Sequence, residues 1–216
     1  MNGHLCMAKM RKMKKEFDIE GLYKIKRDDL KKCAEVAAKA FIEDETSKFL
    51  LSSGLNYKSL YNYYSVIYGA AYNKMHMFAE SENIDGFIII SPIKNAEISL
   101  WDCLRFGGLR GIFSLGLGVI LRSMAYEKNC IKIRKKHVSS DFWYIFQFGV
   151  SPEKQGSGLG SKVIKPFLNW LDSKKASCFL ETQKEGNIAM YNHFGFSLKS
   201  IDTLPKKKES QFAMLR

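Results

Sequence analysis

The stretch Val150–Lys162, VSPEKQGSGLGSK, determines how the rest of the chain is interpreted. An apolar run, Phe142 to Val150, precedes it and is rich in aromatic and β-branched residues, which predicts a buried strand. Ser151-Pro152 ends this strand, because proline has no N–H to donate to a neighbouring strand. Apolar residues then recur at helical spacing from Leu159 to Leu171. The pattern predicts a strand, a glycine-rich turn and the start of a helix.

The glycine-rich turn favours an anionic ligand. Gly156, Gly158 and Gly160 let the backbone approach a ligand closely and adopt positive φ without strain. The unpaired N–H groups of a first helical turn, together with the helix dipole, attract anions. The expected ligand of this turn is therefore a phosphate or a pyrophosphate.

Two common phosphate-binding loops do not match this turn. A P-loop ends in Gly-Lys-Ser/Thr, whereas here Gly160 is followed by Ser161-Lys162. A dinucleotide-binding fingerprint requires a third glycine where Ser161 stands, and no second βαβ half follows. The order Gln155-x-x-Gly158-x-Gly160 instead resembles the pyrophosphate loop of the GNAT N-acetyltransferase superfamily. For these six residues alone, an ordinary glycine-rich loop is the alternative interpretation.

The resemblance extends over Trp143–Phe196. It includes the strand ending at Gly149-Val150, the strand end Leu180-Glu181-Thr182, and the spacing Asn187-x-x-x-Tyr191-x-x-x-Gly195-Phe196. It implies an α/β (α+β) fold with a mixed, mostly antiparallel central sheet of about seven strands, a V-shaped splay in that sheet, and helices on both faces. The first 140 residues match the family only in the order of their elements.

The resemblance also implies acetyl-CoA as the cofactor, lying between the strands at 142–150 and 177–182. Its pantetheine arm would bond to the backbone of Phe148 and Val150 and to the amide of Asn187, and its pyrophosphate would bind the N–H groups of 155–161. The expected cofactor-binding residues are Phe148, Gly149, Val150, Gln155, Gly156, Ser157, Gly158, Leu159, Gly160, Ser161, Thr182, Asn187, Met190 and Tyr191.

Tyr191 is the expected catalytic residue. Acyl transfer to an amine expels a thiolate, and a phenol with a pKa of about 10 stays protonated at neutral pH and can donate to that sulfur. Simple packing of a tyrosine at a helix end is the alternative. The general base is left open between Glu181 and a chain of water molecules. Phe142 stands where relatives often carry histidine, and His137 and His193 are expected at the surface.

Composition indicates one domain in a reducing compartment. The chain has 216 residues and a net charge of +12, and its positive excess lies in three acid-free stretches, 1–15, 131–137 and 206–208. These stretches predict either solvated basic faces or attraction of a polyanion. The five cysteines are odd in number and lack metal-ligand spacing, which predicts free thiols and a cytoplasmic location. We expect a disordered basic leader at 1–18 and a single domain at 19–216.

The first half of the chain predicts a strand at 21–26, a helix from Asp28 or Asp29 to Phe41, an irregular segment at 43–56, a tyrosine-rich helix at 57–73 and two strands near 75–80 and 86–90. A helical insertion is expected at about 93–139. Within it, Ile112–Leu121 is apolar, and a core helix, a lid over the substrate and a membrane contact are alternatives. It is too short to cross a bilayer, which requires about 20 residues.

These features together predict an acetyl-CoA-dependent N-acetyltransferase that acts on an amine of a small molecule by direct attack in a ternary complex. A protein N-acetyltransferase and a non-catalytic acyl-CoA-binding module are the alternatives. No metal is expected, and the basic stretches lack a recognition motif for nucleic acid. The sequence gives no strong indication of a membrane partner, and it leaves a monomer and a homodimer open.

Overall fold

The computed structural model describes residues 17–107, 113–203 and 210–216. Its centre is a seven-stranded sheet in the order β1-β2-β3-β4-β5-β7-β6, in which β4 and β5 are parallel and all other neighbours are antiparallel. The strands are β1 (Tyr23–Lys24), β2 (His76–Ala79), β3 (Gly86–Pro92), β4 (Trp143–Val150), β5 (Cys178–Thr182), β6 (Ser197–Thr203) and β7 (Ser210–Leu215). The helices are α1 (Leu30–Ala40), α2 (Glu45–Leu51), α3 (Tyr57–Ala71), α4 (Leu117–His137), α5 (Leu159–Lys174) and α6 (Gly186–His193).

Helices cover both faces of this sheet, as the resemblance implies. On one face, α1 and α3 pack against alternate strand residues such as Met77, Phe87 and Ile89. On the other, α5 packs against the residues of opposite parity, among them Ile88 and Ile90. Because successive side chains of a strand point to opposite faces, the continuous apolar run in β3 indicates burial on both sides.

The sheet opens between its two parallel strands. β4 pairs with β5 only at Trp143 and Tyr144, although β4 continues to Val150. A register shift lies opposite Ile89 and Ile90, where Gln147 and Ile145 are the partners and Phe146 is the extra residue. A bulge of this kind bends the strand that carries it, and we attribute the divergence of β4 from β5 to this bend. The predicted splay therefore has a local cause in the pairing of β3 and β4.

One expectation about an individual element is wrong. The segment predicted to be irregular contains α2, whose N-terminus is capped by Asp44 through its bond from the Thr46 N–H. The helix α1 begins directly after Asp29, as expected, and the Asp29 side chain accepts from the Lys26 N–H in the preceding turn. Between β3 and α4, a short helical turn at Leu100–Asp102 precedes a π-helical turn at Cys103–Gly107.

The insertion at 93–139 consists mainly of α4. The burial of its side chains tests the alternatives given above for the apolar segment Ile112–Leu121. Within the described part of that segment, Val119 is buried, whereas Phe113, Leu117 and Leu121 are exposed. A fully buried core helix is therefore wrong. No helix in the described ranges is both long and apolar enough to span a bilayer.

Other expectations fall partly outside the described residues. The predicted leader lies largely there, as do Cys6 and the basic residues at 206–208. Cys33, Cys103, Cys130 and Cys178 are buried free thiols, as expected. Within the described ranges, no cluster of three or more histidine, cysteine or acidic residues could hold a metal ion.

Candidate active site

A cavity of about 530 Å³ extends from the gap between β4 and β5 to the helices α3 and α4. Residues 144–148 of β4 and 180–183 at the end of β5 line its inner part. Its outer part is lined by one side each of α3 and α4 and by Ile98 to Leu100. Small-molecule sites typically have volumes of about 300–1,000 Å³, so the cavity suits a compact ligand.

Four predicted site residues meet at this cavity: Phe148, Thr182, Asn187 and Tyr191. Asn187 donates from Nδ2 to the Thr182 Oγ1 at 2.9 Å, which fixes the amide of Asn187 beside the end of β5. Gly195, with φ of +85°, follows the end of α6 and leads the chain back to β6. The hydrogen bond between Asn187 and Thr182 therefore joins the start of α6 to β5, the strand that borders the gap.

Tyr191 is placed by packing. It is 7% exposed, and its ring lies edge-on to Phe196 at a centroid distance of 5.8 Å. Burial raises the pKa of its phenol well above the ordinary value of 10, and the nearby Cys178 adds to the shift. Because the neutral phenol is favoured, Tyr191 keeps its proton at physiological pH.

The glycine-rich turn has an open surface. Residues 155–158 are exposed, and Gly156 and Gly158 both have positive φ with no described atom within 4 Å of the position that a Cβ would occupy. Gly158 is the residue before α5 and, as a glycine, has no side chain to bond to the N–H groups of the first turn. The first hydrogen bond of the helix runs from the Lys162 N–H to the Gly158 carbonyl. The N–H groups of Leu159, Gly160 and Ser161 therefore have no partner within the helix.

Other predicted cofactor-binding residues are already hydrogen-bonded within the protein or lie away from the cavity. The N–H groups of Gln155 and Ser157 already donate to carbonyls within the turn, and the Gln155 side chain donates to the Val150 carbonyl. Met190 packs on the core beneath α5 and does not line the cavity. Gly149 allows close packing, because a Cβ there would lie 2.9 Å from the Phe87 ring.

The wall of the cavity contains a polar network around Arg134 whose contacts the sequence did not predict. Arg134 is 4% exposed, donates to Glu127 at 2.6 Å, and has its guanidinium 4.8 Å from the centre of the Tyr144 ring. The expectation that the whole 131–137 run forms a solvated basic face is therefore wrong at Arg134. The available signal was helical spacing, since Arg134 follows the buried Cys130 by four residues on the same side of α4.

Two acids of this network, Glu127 and Glu181, line the cavity, and Glu181 lies at the end of β5. Its Oε2 accepts a 2.7 Å hydrogen bond from the Tyr144 hydroxyl, and its buried Oε1 has no partner among the described residues. Burial raises the pKa of Glu181 to about 7, partly opposed by Arg134 and by the bond from Tyr144, whereas Glu127 adds to the rise. A carboxyl group with such a pKa accepts and releases protons near neutral pH.

Removing Arg134 should destabilise the protein. Arg134→Met leaves the partly buried Glu127 without its partner, and the loss of one member of a buried ion pair typically costs about 3–5 kcal/mol. The double variant Arg134→Met/Glu127→Gln should recover at least half of that loss. Denaturant unfolding measures both free energies. Equal stability of the single and double variants would contradict this account of the pair.

A seven-stranded mixed sheet split between two parallel strands, with an open glycine turn beside the split, defines the fold of GNAT acetyltransferases. The model of the Acetyltransferase (GNAT) family matches residues 119–196, which confirms the resemblance found in the sequence. The family and the fold indicate acetyl-CoA as the cosubstrate.

Two known proteins are similar to parts of this chain. One, from Dictyostelium discoideum and described as a probable serine/threonine-protein kinase, is 24% identical over 157 residues, which are 60% of this chain and 21% of that protein. An uncharacterized N-acetyltransferase of Schizosaccharomyces pombe is 39% identical over 54 residues, which are 25% of this chain and 22% of that protein. The chain spans about a fifth of the length of the curated relatives that it matches.

Two solved structures share the fold. A protein from Corynebacterium glutamicum, described as histone acetyltransferase HPA2 and related acetyltransferase, has a TM-score of 0.57 at 14% identity, over 92% of this chain and 96% of that chain. The C-terminal condensation domain of Ebony has a TM-score of 0.62 at 8% identity, over 90% and 97%.

Proposed function

We propose that this protein transfers the acetyl group of acetyl-CoA to the amine of a small molecule, by direct attack in a ternary complex. The observation that carries the proposal is the cavity, which starts in the gap between β4 and β5 and continues past Asn187 and Tyr191 into the space between α3 and α4. An extended arm reaching through the gap would place its end beside Tyr191. The remaining volume suits an acceptor of small-molecule size.

The glycine turn fits the phosphate end of acetyl-CoA. Three N–H groups at the start of α5 lack helical partners, and the space above Gly156 and Gly158 is open. Backbone donors and the positive end of the helix dipole favour a pyrophosphate there. Along the gap, the unpaired edge of β4 beyond Tyr144 offers backbone groups to the amides of the pantetheine arm.

We assign the proton transfers to two side chains of the cavity. The acetyl thioester supplies the acyl group and a thiolate leaving group. Glu181 accepts a proton from the acceptor ammonium, which frees the nitrogen lone pair to form the new C–N bond. Tyr191 donates its proton to sulfur as the C–S bond breaks, and the proton that the nitrogen loses after attack restores the phenol. One proton is released overall, and each step uses a group that lines the cavity.

Binding of acetyl-CoA should raise the melting temperature. At 100 times the Kd, a ligand that binds only the native state adds about 2.7 kcal/mol, which for a chain of this size corresponds to about 5–10 °C. Differential scanning fluorimetry with acetyl-CoA measures the shift. An unchanged melting temperature at millimolar acetyl-CoA would contradict the proposed function.

Gly158→Ala tests the turn, and Gly21→Ala is its matched control. Both glycines have positive φ and open space around a Cβ, so alanine costs each about 1–2 kcal/mol through backbone strain. Only at Gly158 does the added methyl group enter the space assigned to the pyrophosphate. A tenfold loss of affinity there would halve the stabilisation by acetyl-CoA. Equal ligand-induced shifts in the two variants would show that the turn does not bind the phosphates.

A further inference from the structure

The residues that line the cavity restrict which acceptor amine it could bind. We propose that the acceptor is a monoamine with an apolar body, whose single ammonium group is held by Glu181 and whose body lies between α3 and α4. This inference rests on the proposed function and narrows its substrate class. It follows from the charges of the cavity, from its apolar wall and from its rim.

The acids of the cavity leave one carboxyl group for a cation. Three acids line the described cavity, Asp44, Glu127 and Glu181, together with one exposed cation, Lys128, whose charge is solvated. Asp44 is engaged as the cap of α2, and Glu127 is paired with Arg134 at 2.6 Å. Glu181 alone among these three has a buried oxygen without a partner. One uncompensated acid matches one ammonium group, whereas a second cation on the acceptor would lack a counter-charge.

The wall beyond Glu181 is apolar. Side chains of α3, of the segment before α4 and of α4 itself form it, namely Val66, Ile67, Ile98, Leu115 and Ile120. Val66 and Ile67 also belong to a packed cluster with Ile98, Leu115 and Ile120, so the wall is held in place by its own contacts. Against these five side chains a polar group would lose its hydrogen bonds to water without replacement, whereas hydrocarbon would gain from burial.

The rim of the cavity is also apolar. Leu100 and Met124 both line the cavity and are 42% and 52% exposed, so they belong at once to its wall and to the surface. Exposed large apolar side chains at the rim of a pocket mark a binding groove. An apolar molecule entering at this rim meets hydrocarbon before it reaches the carboxyl group of Glu181.

A homologous series of linear alkylamines, from propylamine to hexylamine, tests the inference. Each added methylene that enters an apolar wall should raise kcat/KM about fourfold. 1,6-Diaminohexane, which has the length of hexylamine and a second ammonium group, should be at least about 100-fold poorer, because that charge must leave water. Release of CoA is followed with a thiol reagent. Rates that do not depend on chain length, or a preference for the diamine, would overturn the inference.

A pair of variants on α4 locates the wall. Met124→Lys places a charge on the rim of the cavity and should lower kcat/KM for hexylamine about tenfold, with KM for acetyl-CoA unchanged. Leu121→Lys introduces the same charge on the same helix, at a residue that is 57% exposed and does not line the cavity. It should leave kcat/KM unaltered. Equal losses in both variants would show that the body of the acceptor lies elsewhere.

These results separate the inference from the proposed function. Rapid acetylation of polar amines, without a gain along the alkyl series, refutes the apolar acceptor and supports the acetyltransferase. Stabilisation by acetyl-CoA without acetylation of any alkylamine also counts against the apolar acceptor. Absence of both stabilisation and turnover refutes the proposed function itself.

Discussion

Replacing Glu181 with glutamine is expected to lower kcat by about 10²–10⁴ and to leave the affinity for acetyl-CoA nearly unchanged. The factor is that of a positioned general base, and the amide keeps the shape of the side chain while losing its ability to take a proton. Glu185→Gln is the control, because Glu185 is exposed and does not line the cavity. Steady-state kinetics with a saturating amine measures kcat. Retention of full turnover by Glu181→Gln would assign the base to water.

The pH profile tests the same residue. Since Glu181 must be ionised to accept a proton, kcat should fall on the acidic side of about pH 7, where its pKa lies. Tyr144→Phe removes the hydrogen bond that favours the carboxylate, so the acidic limb should move to higher pH, with Arg134 and Glu127 still in place. Tyr63→Phe removes another phenol of the same cavity and should not move it. An unmoved limb in Tyr144→Phe would mean that another group titrates.

Stability provides a readout that does not depend on turnover. The pKa of Glu181 is raised above that of an unfolded glutamate, so the native state binds more protons between about pH 4.5 and 7. Stability from this group is present at low pH and is lost as pH rises through 7. Glu181→Gln should therefore be more stable than the parent at pH 8, by up to about 3 kcal/mol. A variant that loses both activity and stability at pH 8 would indicate a structural role.

Replacing Tyr191 with phenylalanine should lower kcat by about 10²-fold or more, with KM for acetyl-CoA almost unaltered. The variant removes one hydroxyl group, keeps the ring against Phe196, and leaves the thiolate to depart without a proton. Turnover should recover with thioesters whose leaving thiols are more acidic, because such thiolates need no proton from the phenol. Kinetics with a series of acetyl thioesters measures this dependence. An unchanged kcat would remove Tyr191 from the mechanism.

Much of the proposed cofactor side of the site could be predicted from local sequence. A strand, a turn with glycines and a helix are short-range features, so Gln155 to Ser161 identified the loop at the start of α5. Spacing of four residues likewise placed Asn187 and Tyr191 on one side of α6. Side-chain packing, which local sequence does not reveal, accounts for one exception. Met190, adjacent to Tyr191 in sequence, points into the core beneath α5.

The acceptor side could not be predicted in the same way, because its parts are distant in the chain. Glu181 was already a candidate base in the sequence, with a chain of water molecules as the alternative. Only the fold shows that it accepts a hydrogen bond from Tyr144, whose ring contacts Arg134. Arg134 stood in a run of basic residues, and composition gave no reason to separate it from its solvated neighbours. Its burial depends on how α4 lies over the sheet.

The sequence by itself determined the order of elements in the second half of the chain, the glycine turn and the class of fold, because these depend on backbone conformation and on periodic burial along one segment. Only the tertiary structure decided where β4 leaves β5, which acid faces the cavity without a counter-charge, and how far its pKa rises. Those properties come from desolvation and from contacts between residues far apart in the chain, and a carboxyl group has a raised pKa only where the fold removes it from water.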